Sequence, residues 1–96
     1  MYEVVVVVDI QGLKDINRFE KYLKKYGLDK LEGEESAYIG KSSTSVFNTR
    51  AFILDTLKKA LFKGGGAAFF GIVMQLGDNP MERYLFNIEK NNFINL

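Results

Sequence analysis

Asp9 is the carboxylate with the most evident chemical use, because it follows a run of five valines and precedes the Gln11-Gly12 turn. Side chains at the ends of sheet strands are held firmly and stay within reach of a substrate. Asp9 is therefore a candidate catalytic and metal-binding residue. The alternative is that its carboxylate caps the turn into the first helix, a role that aspartate fills well.

Absent residue types narrow the chemistry further. The chain has no histidine and no cysteine. This composition excludes a serine–histidine triad, metal sites built on histidine or thiolate, disulfides and cysteine nucleophiles. Any catalysis must therefore use carboxylates, hydroxyls, tyrosines, lysines or arginines.

A hydroxyl-rich segment, Ser42–Ser45, follows Lys41. Hydroxyls and backbone amides at the start of a helix can hold a phosphate, and the plain alternative is a solvated loop. Arg50 lies near the start of a predicted helix, where its charge opposes the helix dipole, so either an anion lies nearby or Arg50 is an ordinary surface residue. For a nucleic-acid partner the expected contacts are Arg18, Lys41, Ser42, Ser43 and Arg50.

The composition bounds the class of protein. The 96 residues suffice for one domain, 1–96, and 47% hydrophobic with 26% charged residues is ordinary for a globular protein. The net charge of +1 is less basic than that of a dedicated nucleic-acid binder, although Arg18 and three nearby lysines cluster on one segment. No signal-peptide pattern and no membrane-length apolar run are found. We expect a cytoplasmic protein that does not contact membranes.

The elements of the first half follow from apolar spacing. The unbroken β-branched run in residues 2–10 predicts a strand that is central in a sheet and buried on both faces. Apolar residues at helical spacing between Leu13 and Tyr26 predict a helix, with Gly27 as its left-handed end. The segment 36–40 has the character of a strand.

In the second half, a helix is predicted from Asn48, its expected N-cap, to Lys63. At least one of the three glycines 64–66 that follow is expected to need a left-handed conformation. Residues 67–76 predict a buried strand, and 84–88 predict a strand with one buried face. The order predicts an α+β fold, a ferredoxin-like βαββαβ sandwich with an extra C-terminal strand and both helices on one face.

Residues 1–40 also carry the short motifs of a known family. A hydrophobic strand ends in Asp-Ile, a helix ends in Tyr-Gly, and a strand with serine, an aromatic residue and glycine follows, here Asp9-Ile10, Tyr26-Gly27, and Ser36, Tyr38 and Gly40. This pattern resembles the N-terminal half of the small CRISPR-associated nuclease of the spacer-adaptation complex and, more loosely, virulence-associated protein D.

The resemblance implies a homodimer in which Asp9 of each subunit binds magnesium for cleavage of DNA or RNA. Magnesium suits this role because it needs only one or two protein carboxylates and activates water beside a phosphate. Some members of the family act as nucleic-acid-binding scaffolds. The apolar strands 67–76 and 83–89 on a chain with a small core also favour a homodimer.

Two alternatives remain open at this stage. One is a non-catalytic ferredoxin-like regulatory or ligand-binding module, which a closed pocket lined by Phe69, Phe70 and Met74 would favour. The other is a structural interaction protein. A ferredoxin-like fold does not decide among them, because it hosts many unrelated functions.

Overall fold

The chain forms one antiparallel sheet and two helices. In the computed structural model, which describes residues 1–96, the helices are α1 (Ile16–Lys25) and α2 (Val46–Lys63). The strands are β1 (Tyr2–Gln11), β2 (Asp29–Lys30), β3 (Ala37–Ser42), β4 (Phe69–Leu76), β5 (Glu82–Asn87) and β6 (Asn92–Asn95). They lie in the order β2-β3-β1-β4-β5-β6, and every neighbouring pair is antiparallel. The predicted α+β class is confirmed, and β6 is a strand beyond the single extra one that was expected.

The two faces of the sheet differ in what covers them. β1 is central, as predicted, with β3 on one side and β4 on the other. Val4, Val6 and Val8 are buried, whereas Val5 and Val7 are 37% and 44% exposed. The prediction that this strand is buried on both faces is therefore wrong, because both helices pack against the face of the even-numbered residues. We call the face with Val5 and Val7 the open face.

The covered face and both helices share one core of 17 buried residues. The ring of Phe19 in α1 packs edge-on against Tyr38 and Phe70, with centroids 6.3 and 5.9 Å apart. α1 begins three residues later than the apolar spacing predicted. The reason is Asp15, whose side chain accepts a hydrogen bond from the backbone N–H of Arg18 and so caps the helix.

α2 begins before the predicted Asn48, since Ser45 is its N-cap and accepts a hydrogen bond from the Asn48 backbone N–H. The helix ends at Lys63, as predicted. Gly65 and Gly66 have φ angles of +85° and +82°, which confirms the expected left-handed conformation. Gly64 has an ordinary φ of −80° and is instead limited by space. A Cβ on Gly64 would lie 2.8 Å from Leu13 Cδ1.

The C-terminal strands extend the core with aromatic rings. Phe93 of β6 packs 5.1 Å from the Phe86 ring and 5.5 Å from the Phe70 ring, measured between centroids. Ile88 lies beyond β5 and is 53% exposed, so the predicted last strand ends before it. Neither helix has the length and hydropathy of a membrane span.

Candidate functional site

Asp9 lies on the open face near the end of the central strand and is exposed. The helix cap is Asp15, so the alternative that Asp9 caps the entry into α1 is wrong. Opposite Asp9 in β4 is Gly71, which has no side chain. The ring of Phe69 leans over this glycine, since a Cβ there would lie 3.4 Å from two of its ring carbons. Asp9 therefore stands beside an aromatic ring, with its carboxylate free to meet solvent or a partner.

The donor set around Asp9 is small. No group of three or more Asp, Glu, His or Cys side chains is placed to hold a metal ion within this chain. Asp9 alone suits magnesium as one of its one or two protein carboxylates, with waters and phosphate oxygens as the remaining ligands. A magnesium ion at Asp9 would thus take its remaining ligands from waters, from phosphate oxygens or from a carboxylate of a second chain.

Apolar side chains occupy the middle of the open face. Val5 of β1 lies opposite Ile39 of β3, and Val7 lies opposite Val73 of β4. Further along the sheet, Ile94 of β6 lies opposite Leu85 of β5. Together they form what we call the apolar patch: Val5, Val7, Ile39, Phe69, Val73, Leu85 and Ile94. A contiguous apolar surface across five strands is typical of a protein interaction surface.

Charges are distributed unequally between the two layers of the molecule. The segments 13–27 and 45–63, which contain the helices and their caps, hold nine of the 13 basic residues and three of the 12 acidic ones. The helical layer is therefore strongly positive, and the sheet with its loops is negative. Exposed lysines of this layer include Lys21, Lys24, Lys25, Lys59 and Lys63.

A cleft of about 280 Å³ lies between the end of α1, the end of β3 and the first two turns of α2. Three of the five predicted nucleic-acid contacts, Lys41, Ser42 and Ser43, line it. We call it the hydroxyl cleft. Strand register places the side chain of Lys41 beside Glu3 on the open face, so the polar side chains on the cleft side are hydroxyls.

The hydroxyls of the cleft form a chain of hydrogen bonds. Thr49, which is 5% exposed, has its Oγ1 2.7 Å from the Tyr2 hydroxyl and 2.6 Å from Ser42 Oγ. The Tyr2 hydroxyl also lies 3.0 Å from the carbonyl oxygen of Thr44. Sequence reasoning found Ser42 but missed Tyr2 and Thr49, since their 47-residue separation gives no local signal.

The two arginines among the predicted contacts do not join this cleft. Arg50 donates from Nε and from Nη2 to the two carboxylate oxygens of Glu82, at 2.6 and 2.9 Å. The Tyr84 hydroxyl donates to the same carboxylate at 2.6 Å. Hydrogen bonding from Arg50 holds the pKa of Glu82 below its ordinary value. The anion that the position of Arg50 indicated is therefore present within the chain.

Arg18, the other arginine, is highly exposed and lies 3.7 Å from Asp15. It remains within reach of an external partner, because an exposed ion pair of this length is weak. It belongs to the basic helical layer and does not line the hydroxyl cleft.

The pocket expected for a ligand-binding module is not formed. Phe70 and Met74 are each 1% exposed within the core, whereas Phe69 lies on the opposite, open face. Adjacent residues of a strand point to opposite faces, so Phe69 and Phe70 cannot line one pocket. No such pocket exists, and the hydroxyl cleft is one of several cavities that the surface does provide.

No protein-family model, no curated protein and no solved structure matches the chain. The resemblance of residues 1–40 to the adaptation nuclease therefore stays a prediction.

Proposed function

We propose that the protein is a homodimer of ferredoxin-like topology that binds nucleic acid and cleaves it with magnesium held at Asp9. The observation that carries the proposal is the segregation of the surface into an apolar open face and a basic helical layer. The apolar face suits a second copy of the chain, and the basic layer suits a phosphate backbone.

The topological part rests on strand order. The four strands β2-β3-β1-β4 are adjacent, with α1 joining β1 to β2 and α2 joining β3 to β4. This strand order supports an arrangement of two split βαβ units, with β5 and β6 as an extension at one edge. In such a fold the helices take one face, and the other face is left for a partner.

A second copy suits the open face better than a nucleic acid does. Its rim carries acidic and basic residues, namely Glu3, Asp9, Asp29, Lys41 and Arg83. Acidic groups outnumber basic ones there, which disfavours contact with phosphates unless a bound cation lies between them. Charges of both signs on one face can pair across a two-fold axis, where the same surface meets itself.

The proposed metal-binding role of Asp9 depends on a dimer formed through the open face. It lies on the same face as the apolar patch, so a two-fold axis close to Asp9 would place two carboxylates at the interface. Two carboxylates, with phosphate oxygens and waters, satisfy magnesium. The bound metal would acidify a water and stabilise charge on the phosphate. Asp9 would hold the metal near the end of β1, and Lys14 and Arg18, which follow directly in the chain, would hold the nucleic-acid backbone beside it.

The dimer is tested with Val7→Lys, which places a charge in the middle of the apolar patch. We expect the wild type to have the mass of a dimer by light scattering at micromolar concentration and Val7→Lys to be a folded monomer. Phe62→Lys is the matched control, because Phe62 is 82% exposed on α2 and away from the open face. A monomeric wild type would refute the dimer.

Cleavage is tested on mixed DNA and RNA substrates with magnesium and with a chelator. We expect magnesium-dependent cleavage by the wild type and by the control Asp29→Asn, which removes another exposed carboxylate of the open face. Asp9→Asn should lose at least about 100-fold in rate, as expected when a metal ligand is removed. Circular dichroism confirms that each variant is folded. Cleavage that survives in Asp9→Asn would exclude the metal role of Asp9.

A further inference from the structure

One side of the hydroxyl cleft is apolar and includes two aromatic side chains that remain partly exposed. Tyr26 and Phe52, which line it from α1 and α2, are 40% and 50% exposed. Leu28 and Ile53, which are buried, line the same cleft beneath them. The Tyr26 ring is supported by Tyr22, with centroids 4.8 Å apart. A planar apolar group can therefore lie against fixed aromatic surface here.

The opposite side of the cleft offers a hydrogen-bond donor. The Tyr2 hydroxyl has one hydrogen and favours Thr49 Oγ1, the nearer of its two acceptors at 2.7 Å against 3.0 Å. Thr49 Oγ1 and Ser42 Oγ lie 2.6 Å apart and either can donate, so the hydrogen of Thr49 can go to Ser42. Ser42 Oγ also accepts from the Thr44 backbone N–H, so its own hydrogen is unused within the chain. When Thr49 donates to Ser42, the Ser42 hydroxyl, which lines the cleft, is left as a donor for a bound group.

Further donors surround this hydroxyl. Ser43 and Thr44 also line the cleft and are exposed. The cleft contains no acidic lining residue. The polar side therefore suits a group with several acceptor oxygens, such as a phosphate, and the apolar side suits a planar ring.

We propose that the hydroxyl cleft binds a single nucleotide unit, with its base against Phe52 and Tyr26 and its phosphate at Ser42–Thr44. The volume of about 280 Å³ is near the lower bound of ligand sites, which limits the occupant to one such unit. The site goes beyond the function proposed above, because Val4 of the cleft lies roughly 17 Å along β1 from Asp9, at about 3.3 Å per residue. The unit can be a free nucleoside monophosphate or one unstacked residue of a single strand.

The test is a titration of the ¹⁵N-labelled full chain, followed by amide chemical shifts. The probes are adenosine 5′-monophosphate, adenosine, inorganic phosphate and a single-stranded oligoadenylate. Each is titrated to about 10 mM, counted in nucleotide units for the oligoadenylate, and this range detects millimolar Kd values. We expect saturable shifts at residues 40–44 and at Gly27 with the monophosphate, and at least fivefold weaker binding of adenosine and of phosphate. Tighter binding of the oligoadenylate assigns the site to a strand, and equal or weaker binding assigns it to the free nucleotide.

Variants separate this site from unspecific binding. Phe52→Ala should weaken monophosphate binding at least fivefold, as loss of one stacking surface does. Phe47→Ala is its control, since Phe47 is 75% exposed on the same helix and does not line the cleft. Ser42→Ala should weaken binding of the monophosphate but leave that of adenosine unchanged.

Three results would overturn the proposal. They are absence of saturable shifts with every probe, equal weakening by Phe52→Ala and Phe47→Ala, and shifts that lie outside the cleft residues. Because Ser42 also bonds to buried Thr49, Ser42→Ala is interpreted only where its spectrum is that of the folded wild type. Phe52→Ala tests the proposal without this complication, because Phe52 is half exposed and contributes little to the core.

Discussion

Removing the carboxylate of Glu82 should destabilise the protein far more than removing an ordinary surface carboxylate. Glu82 on β5 accepts two hydrogen bonds from Arg50 on α2 and one from the Tyr84 hydroxyl. It ties the second helix to the far half of the sheet. Glu82→Ala leaves the guanidinium and the hydroxyl without their acceptor, and the Tyr84 residue is only 6% exposed.

The magnitude follows from the exposure of the pair. Hydrogen bonds to charged groups contribute about 1.5–3 kcal/mol when buried, and exposed ion pairs about 0–1 kcal/mol. The side chains of Glu82 and Arg50 are 14% and 35% exposed, so the pair lies between these cases. We expect a coupling energy of about 1–2 kcal/mol for the pair. Glu82→Ala itself should cost about 2–3 kcal/mol, which lowers Tm by about 10–20 °C in a domain of this size.

The assay is a double-mutant cycle by denaturant unfolding with Arg50→Ala, Glu82→Ala and the double variant. The internal control is the same cycle for Asp55 and Lys59, a helix pair at 2.9 Å whose side chains are 55% and 59% exposed. That pair should couple by only about 0.3–0.5 kcal/mol. Equal coupling energies in the two cycles would refute the reasoning.

The same contact makes stability depend on pH with a defined sign. The pKa of Glu82 is lowered in the folded state from its ordinary value of 4.5, mainly by hydrogen bonding from Arg50. Its contribution is therefore complete above the unfolded value and is lost as pH falls through the lower folded value. The difference in free energy of unfolding between wild type and Glu82→Ala should shrink as pH falls from about 5 to about 2. A difference that grows in this range would contradict the assignment.

Four further predictions concern single substitutions. Gly64→Ala and Gly66→Ala should both lower the Tm, for different reasons: a Cβ at Gly64 meets Leu13 and the backbone of Asp15, whereas one at Gly66 has space but forces alanine into the left-handed conformation. Gly66→Asn should be tolerated better than Gly66→Val, since asparagine accepts the left-handed conformation at φ +82°. Asp15→Ala should lower the free energy of unfolding by about 1 kcal/mol, because α1 loses its N-cap. Asp9→Ala should leave the free energy of unfolding unchanged or raise it, because the Asp9 carboxylate caps no helix. A larger loss for Asp9→Ala than for Asp15→Ala, measured in urea, would show that Asp9 supports the fold.

Much of the fold was predictable because local signals and tertiary packing agree. The helix end at Lys63 and the left-handed glycines after it follow from residues that are adjacent in sequence. The start of α2 was misjudged because Ser45 and Asn48 are both good caps, and three positions separate them. Choosing between them requires knowing where β3 ends.

The five valines of β1 show a limit of another kind. A run without polar residues is expected where both faces are covered. Here Val5 and Val7 lie exposed on the open face. The sequence therefore indicates that both sides of the strand are apolar, but it does not show whether another element covers each side. The pairing of Arg50 with Glu82 was equally hidden, since 32 residues separate them and only the fold brings them together.

The candidate site residues divide along the same line. Ser42 and Ser43 were found because hydroxyls cluster in the sequence, and the fold places both at one cleft. Phe52 and Tyr26 were assigned to helices without a role, because the neighbour that makes each a wall of the cleft lies on another element. A periodic pattern shows which face of a helix is apolar, but only the folded structure shows which residues of other elements that face contacts.

The central place of β1 also determines how the protein must be made. Its partner β4 begins at Phe69, so the valine run leaves the ribosome well before the strand that covers its second edge. At about 5–20 residues per second, the run waits roughly 3–14 s with that edge unpaired. Pairs so far apart in sequence also slow folding through the entropy of closing the loop between them. The nascent chain thus carries an uncharged, β-prone valine run with one edge unpaired for seconds, and dependence on a holding chaperone would be greatest in that interval.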